Sequence, residues 1–292
     1  QKLINVINRK VAEHDTLLPD NTDIEATDWS SINIMVVDDN DVNLRLAEII
    51  LHKHKARVTT ARSGEQAIDY ASMNSYDVIL MDLHMPGLDG YETTKKIREM
   101  SPGKQPVIIA LTANALPQEK EKVSQSGMNG ILIKPVSDAI LRKVIDQWIL
   151  KASINSSSFN EFSLSSIEPE TQTSVSQEQA LRNIFSIELA KEFTGNNEEL
   201  AFELFEMLRA ELDNYKQGIK KAVKDKDLVL LREQAHKLHG ASRCCGTTEL
   251  KEASSHIENL IDQKINFDIK AETDRLIDAI ENVAGFDREQ AS

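Results

Sequence analysis

The sequence predicts an α/β doubly wound, five-stranded parallel sheet followed by an all-α bundle of four or five helices. Two observations carry this. From Ile32 to Leu150, short apolar runs alternate with stretches of helical periodicity, the pattern of βαβ units. After Gln177 the strand patterns vanish, and apolar residues recur only at helical spacing.

Taken in order, Ile32–Val37, Ala56–Ala61, Val78–Met81, Val107–Leu111 and Gly130–Ile133 read as strands. The helical stretches between and after them are Val42–His54, Gly64–Met73, Tyr91–Met100, Pro117–Ser126 and Asp138–Leu150. Parallel strands joined by helices require right-handed crossovers, with helices covering both faces of the sheet. Residues 1–30 read as a tether: a short helix-like stretch, Leu3 to Val11, then a polar acidic segment. A chain opening at Gln1 inside such a stretch predicts a fragment of something longer. Residues 151–176 are Ser/Thr-rich without sustained apolar period, which is linker composition. Leu200, Leu204, Leu208, Leu212, Tyr215 and Ile219 then outline one long helix, and Leu228, Leu231, Ala235 and Leu238 a second. Further helices are expected at about Thr248–Ile261 and Ile269–Val283, closing a domain over 177–288 with a tail at 289–292.

At 292 residues with 40% apolar content, the chain has room for two cores. A net charge of −13 argues against direct nucleic-acid binding through phosphates. No apolar run is long enough to span a bilayer and no secretory leader opens the chain, so a cytoplasmic setting is expected, with any membrane link through a missing upstream part. The two cysteines, Cys244 and Cys245, are adjacent, a spacing that rarely closes a disulfide and suits a reducing compartment.

The chemistry of the first domain centres on Met81-Asp82-Leu83-His84-Met85-Pro86-Gly87-Leu88-Asp89-Gly90, where a buried strand delivers a carboxylate to a Pro/Gly loop. Asp38 and Asp39 follow the first strand, Thr112 ends the fourth and Lys134 follows the fifth. In a parallel sheet these ends share one edge, where such folds bind ligands. Three close carboxylates call for a cation, and oxygen-only ligands point to Mg²⁺. The cation, Lys134 and the Thr112 hydroxyl would then surround a transferring phosphoryl group, with one carboxylate as nucleophile.

On these residues, with Val36-Val37-Asp38-Asp39-Asn40, Leu111-Thr112-Ala113 and Ile133-Lys134-Pro135, residues 31–150 resemble a two-component receiver domain of the flavodoxin-like fold. The resemblance implies that Asp82 is the phosphoacceptor. It also implies that Asp38, Asp39, Asp82 and the backbone carbonyl of His84 hold Mg²⁺, that Thr112 binds a phosphoryl oxygen, that Lys134 pairs with the acyl phosphate, and that the Lys134–Pro135 bond is cis. One position departs from the pattern: receivers that switch by rotating an aromatic side chain carry it three residues before the lysine, where this sequence has Ile131. A relay station is therefore expected rather than an output switch.

In the second domain, Ala235-His236-Lys237-Leu238-His239-Gly240 is the informative stretch. At 100° per residue, Leu231, Leu238, Ala241 and Cys245 face one way, and His236, His239, Gly240 and Arg243 face the opposite, solvent side. A mid-helix glycine costs about 1 kcal/mol relative to alanine, and Gly240, one turn from His236, would let a partner approach the imidazole. Lys237, His239 and Arg243 would offer charge or donors to a phosphoryl group. A zinc site of His236, His239, Cys244 and Cys245 fails, because Cys244 lies about 12 Å along the axis from His236.

This stretch resembles the histidine phosphotransfer (HPt) domain, a four-helix bundle with the pattern Ala-His-x-Leu-Lys-Gly, with His236 at the phosphorylated position. His239 stands where lysine is usual. An imidazole there would lose its charge as pH rises, so relay through His236 is expected to fall above neutrality. Receiver, linker and HPt domain in this order resemble the C-terminal part of a hybrid sensor histidine kinase of the BarA/GacS type. The resemblance implies phosphoryl flow from an upstream kinase core of the same longer chain to Asp82, to His236, and on to a separate response regulator receiver. No glycine-rich ATP-binding region is present in the sequence, and the linker's reach, roughly 28 Å, lets the two domains meet at about millimolar effective concentration. The alternatives are a non-transferring interaction module and a Mg²⁺-dependent phosphohydrolase using Asp82; the latter leaves His236 without a role.

Overall fold

A computed structural model of the chain describes residues 28–100, 105–112, 117–134, 136–152 and 183–286. The expected tether up to residue 27, most of the 151–176 linker, the edges of the 177–288 domain and the Lys134–Pro135 bond lie outside the described residues.

The first domain is the expected doubly wound sheet. Strands β1 (Asn33–Val37), β2 (Arg57–Ala61), β3 (Val78–Asp82), β4 (Val107–Thr112) and β5 (Gly130–Ile133) pair in the order β2-β1-β3-β4-β5, all parallel. Helices α1 (Asp41–Lys53), α2 (Gly64–Met73), α3 (Gly90–Met100), α4 (Pro117–Gln125) and α5 (Asp138–Ala152) cross between the strands or close the domain. Side chains alternate across the pleat. Ile34, Val36, Val78, Leu80, Ile109 and Leu111 join the core beneath α1 and α5. Met35, Val37, Ile79, Met81, Ile108, Ala110 and Ile131 form the core of the opposite face. All five residues of β3 are buried, as a central strand covered on both faces requires. The register sets Val37 beside Met81 and Asp82 beside Leu111, so the strand ends form one edge.

Local capping fixes where the helices leave that edge. Asn40 caps α1 by accepting the N–H groups of Val42 and Asn43, which turns the chain immediately after Asp38 and Asp39. Asp89 accepts the Glu92 N–H at the start of α3. Gly90 is required there: a Cβ would stand 2.1 Å from the Asp82 carbonyl oxygen. Trp29, assigned to the tether from sequence, is instead buried in this domain, stacked 4.4 Å from the His54 ring and donating to Asp146 at 2.9 Å. A single indole in a polar segment gives no periodicity to announce such packing.

The second domain comprises α6 (Ile187–Phe193), α7 (Glu198–Asp225), α8 (Leu228–Cys244), α9 (Thr248–Asp262) and α10 (Ile269–Ala284). Helices α7 to α10 pack in sequence, α10 returns against α7, and α6 lies on α7. Phe185, Phe205 and Phe286 seal one end, with ring centroids 4.2–5.8 Å apart. The α8–α9 turn needs Gly246: its φ is +68°, and a Cβ would meet the Ser186 carbonyl at 2.2 Å. Cys244 and Cys245 are free thiols buried in this core. The two domains touch through α1, which packs on α7 and α8. No helix among the described residues is long and apolar enough to cross a membrane.

Candidate functional site

On the sheet edge, Asp38, Asp82 and Lys134 are buried together. The Lys134 ammonium lies 2.7 Å from Asp38 Oδ2 and 2.8 Å from Asp82 Oδ1. Burial opposes its charge, but the two carboxylates outweigh burial and hold Lys134 protonated above the ordinary lysine range. Asp38 accepts the Asn40 N–H at 3.0 Å and the Asn43 amide at 3.1 and 3.3 Å. Burial raises the pKa of both Asp38 and Asp39. Carboxylate oxygens of Asp38, Asp39 and Asp82 lie within 4.8 Å of one another. Oxygen-only donors suit Mg²⁺, and Asp39 Oδ2, buried and met only by the Lys237 ammonium of the other domain, is an acceptor that a cation would fill. Thr112 faces the same edge, its hydroxyl donating to Glu119 Oε2 at 3.0 Å.

The phosphohistidine candidate comes to this edge from the other domain. His236 is 8% exposed, a correction to the solvent-facing position expected from the helical wheel. The wheel separates the bundle core from the opposite face, but cannot show that the receiver covers that face. The His236 ring lies edge-on to the His84 ring, centroids 5.0 Å apart at 61°. A small cavity separates Asp38, Asp39, Asn40, Asn43, Asp82 and Lys134 on one side from His236, Lys237 and Gly240 on the other. Around it, Lys237 Nζ pairs with Asp39 Oδ2 at 3.0 Å. Asn40 Nδ2 donates to Tyr215 Oη at 3.2 Å and to the Lys237 carbonyl at 3.3 Å. Arg45 Nε donates to Glu203 at 2.8 Å farther out. The Gly240 expectation takes a specific form here, since a Cβ at that position would lie 3.4 Å from Asn43 Nδ2.

Glu258 on α9 organises the histidines and was not foreseen. Its Oε1 lies 2.7 Å from His236 Nδ1 and its Oε2 3.1 Å from His239 Nδ1. Burial would raise its pKa, but the bonds to His236 and His239 more than reverse this and hold it well below the ordinary range. An ionised carboxylate only accepts, so both Nδ1 atoms carry protons and the His236 lone pair sits on Nε2. Burial lowers the His236 pKa; the Glu258 bond and charge, with Asp82, outweigh it, and the net shift is upward. Of the expected cations on α8, Lys237 lines the cavity, whereas His239, bonded to Glu258, and Arg243 do not. His84, foreseen only through its backbone carbonyl, contributes its ring. Burial, followed by the charges of His236 and Arg232, lowers the His84 pKa to about 4. Its Nδ1 is buried without a hydrogen-bond partner and its Nε2 lies 3.6 Å from Glu119 Oε1. Glu258 left one trace in the sequence: with Leu250, Ser254 and Ile257 it falls on the buried stripe of α9, an unusual place for a charge.

The response regulator receiver domain family matches residues 34–146, and the Hpt domain family matches residues 203–285. Sensor protein GacS of Pseudomonas syringae pv. syringae is 32% identical over 234 residues, 79% of this chain and 24% of GacS. The signal transduction histidine-protein kinase BarA of Escherichia coli K12 is 28% identical over 271 residues, 90% of this chain and 28% of BarA. The chain thus spans about a quarter of the length of these relatives. Among solved structures, the receiver domain of a Pseudomonas aeruginosa sensor histidine kinase, with magnesium in its active-site cleft, is 43% identical. It covers 40% of this chain and 97% of that one at a TM-score of 0.38. A yeast response regulator receiver co-crystallised with its histidine phosphotransfer protein is 32% identical, over 41% of this chain and 90% of that one, at 0.40. By the two family matches, residues 34–146 belong to the response regulator receiver family and residues 203–285 to the Hpt family, and by the match to GacS the pair is homologous to the corresponding region of a hybrid sensor kinase.

Proposed function

We propose that this chain is the phosphorelay segment of a hybrid sensor kinase. Asp82 receives a phosphoryl group from the kinase core of a longer chain, passes it to His236, and His236 passes it to a separate response regulator receiver. The observation that carries the reading is the shared cavity, lined by Asp82 and Lys134 on one side and His236 on the other. A segment of this kind works in the cytoplasm, with any membrane anchor in the upstream part.

Asp38, Asp39 and Asp82, with the His84 backbone carbonyl, would hold Mg²⁺, which supplies charge neutralisation for the phosphoryl oxygens. The rest is done by side chains of the chain itself. Lys134, fixed between Asp38 and Asp82, pairs with the acyl phosphate. In the forward step the lone pair on His236 Nε2 attacks phosphorus, a P–N bond forms, the P–O bond to Asp82 breaks, and its electrons restore the Asp82 carboxylate. The Nδ1 proton stays on the ring, hydrogen-bonded to Glu258, whose charge offsets the positive charge developing on the imidazole. Glu258 is thus a positioning residue that sets the tautomer. The Thr112 hydroxyl would turn from Glu119 to a phosphoryl oxygen.

Labelling the chain with acetyl phosphate, with and without EDTA, tests the reading. The expected result is Mg²⁺-dependent, hydroxylamine-sensitive phosphate at Asp82 and acid-labile phosphate at His236 that disappears in Asp82→Asn. A non-transferring interaction module predicts neither label.

A further inference from the structure

We propose that the interface between the two domains is also a binding site for a nitrogen-preferring divalent cation of the Zn²⁺ class, held by Asp82, His84 and His236. Ligand atoms of these three residues lie within 4.8 Å of one another, two imidazoles and one carboxylate drawn from both domains. This donor set differs in kind from the oxygen-only group of Asp38, Asp39 and Asp82. Imidazole nitrogen favours Zn²⁺, Ni²⁺ or Cu²⁺, whereas Mg²⁺ prefers oxygen.

The surroundings of His236 are those of a metal-binding histidine, which characteristically donates its other ring N–H to a carboxylate. His236 Nδ1 is bonded to Glu258 Oε1 at 2.7 Å, which leaves Nε2 as the ligand atom. His84 Nε2 lies 3.6 Å from Glu119 Oε1, while its Nδ1 is buried and has no hydrogen-bond partner. A buried polar atom without a partner costs roughly 1–3 kcal/mol and calls for an explanation. A cation between His84 Nδ1, His236 Nε2 and Asp82 supplies one. Zinc bonds of about 2.0–2.2 Å need the ligand atoms closer than 4.8 Å, so the two rings must draw together by torsion about their side chains. Three protein ligands leave a fourth position for water.

Occupancy has a definite consequence. The cation takes the Nε2 lone pair of His236, so that ring cannot attack phosphorus, and through Asp82 it fastens one domain to the other. The inference rests on the docked geometry and not on the relay, and it is tested on unphosphorylated protein.

The test is a Zn²⁺ titration of the full chain against a chromophoric chelator in the presence of excess Mg²⁺, with Co²⁺ absorption as the report on nitrogen ligation. We expect one tight site per chain that survives Asp39→Asn. It should weaken by about 10–100-fold in Glu119→Gln, through loss of outer-shell support, and further in His84→Asn. Cooperative thermal unfolding like that of the wild type shows that each variant is folded. Wild-type affinity in His84→Asn, or a Co²⁺ spectrum unchanged by His236→Asn, would overturn the proposal.

Discussion

Lys237→Ala should separate loading of the receiver from transfer to the Hpt domain. The Lys237 ammonium lies 3.0 Å from Asp39 Oδ2, with side-chain exposures of 19% and 6% for the pair, so solvent screens it less than a surface ion pair. At an effective dielectric of about 20, the gross attraction at that distance is roughly 5–6 kcal/mol. Ammonium desolvation and the long Lys237 stem reduce it, and we take about 2–3 kcal/mol, at the lower end of close charge pairs across interfaces. That is roughly a 30- to 150-fold change in the docked population. Charge balance sets when the contact operates. With the receiver phosphorylated, two carboxylates and a dianionic phosphoryl group are balanced by Mg²⁺, Lys134 and Lys237 together. Once the phosphoryl group has moved, three carboxylates are balanced by Mg²⁺ and Lys134 alone, and Lys237 is in surplus. Docking should therefore be tight on the phosphorylated receiver and loosen on the spent one. In rapid-quench experiments, Lys237→Ala should label Asp82 at least as fast as wild type but transfer to His236 about 10–100-fold more slowly. Donor–acceptor fluorescence between the domains should show Mg²⁺ alone weakening docking in wild type but not in the variant. Wild-type transfer rates in Lys237→Ala, with an unchanged Mg²⁺ response, would refute the reasoning.

Glu258→Gln removes the carboxylate that, with Asp82, raises the His236 pKa against burial. The stabilisation from the protonated His236 pair is complete below about pH 6.5 and is lost as pH rises through the higher folded value. The wild-type transfer rate should therefore rise with pH as His236 becomes neutral, and the Glu258→Gln profile should shift to lower pH, as rates between about pH 5.5 and 8.5 would show. This reverses the fall with pH expected when His239 is read as the phosphoryl-facing cation. Gly240→Ala should change transfer less than tenfold, because the added methyl reaches Asn43 Nδ2 at 3.4 Å without collision and the helix gains about 1 kcal/mol; Gly240→Leu should abolish docking by size-exclusion and fluorescence criteria. Gly90→Ala should destabilise the receiver by about 1–3 kcal/mol or more, visible in thermal unfolding, since its Cβ would overlap the Asp82 carbonyl. Beryllofluoride should shift amide signals mainly around Asp82, because Ile131, packed in the sheet core, offers no aromatic switch.

The receiver was legible because its chemistry is local to strand ends. Each of Asp38, Asp82, Thr112 and Lys134 follows an apolar run, and parallel pairing brings the ends of such runs together whatever the loops do. The face of α8 that meets its own bundle was equally legible: Leu231, Leu238, Ala241 and Cys245 are all buried as the wheel requires. The opposite face was misjudged, since burial of His236 depends on a domain remote in sequence. Glu258 is 22 residues from His236 and reaches it only by the α8–α9 reversal, so spacing alone cannot pair them. The His84 ring was overlooked because its loop was read through a backbone carbonyl; its edge-on contact with His236 exists only once the domains meet.

The central claim is direct transfer between Asp82 and His236 across their shared cavity. Rapid-quench kinetics on the full chain test it most directly, following hydroxylamine-sensitive phosphate at Asp82 and acid-labile phosphate at His236 after a pulse of phosphodonor. The account predicts that the first decays as the second appears, with matching rates independent of protein concentration. A His236 signal that arises in Asp82→Asn, or an Asp82 signal that decays with no gain at His236, would contradict it.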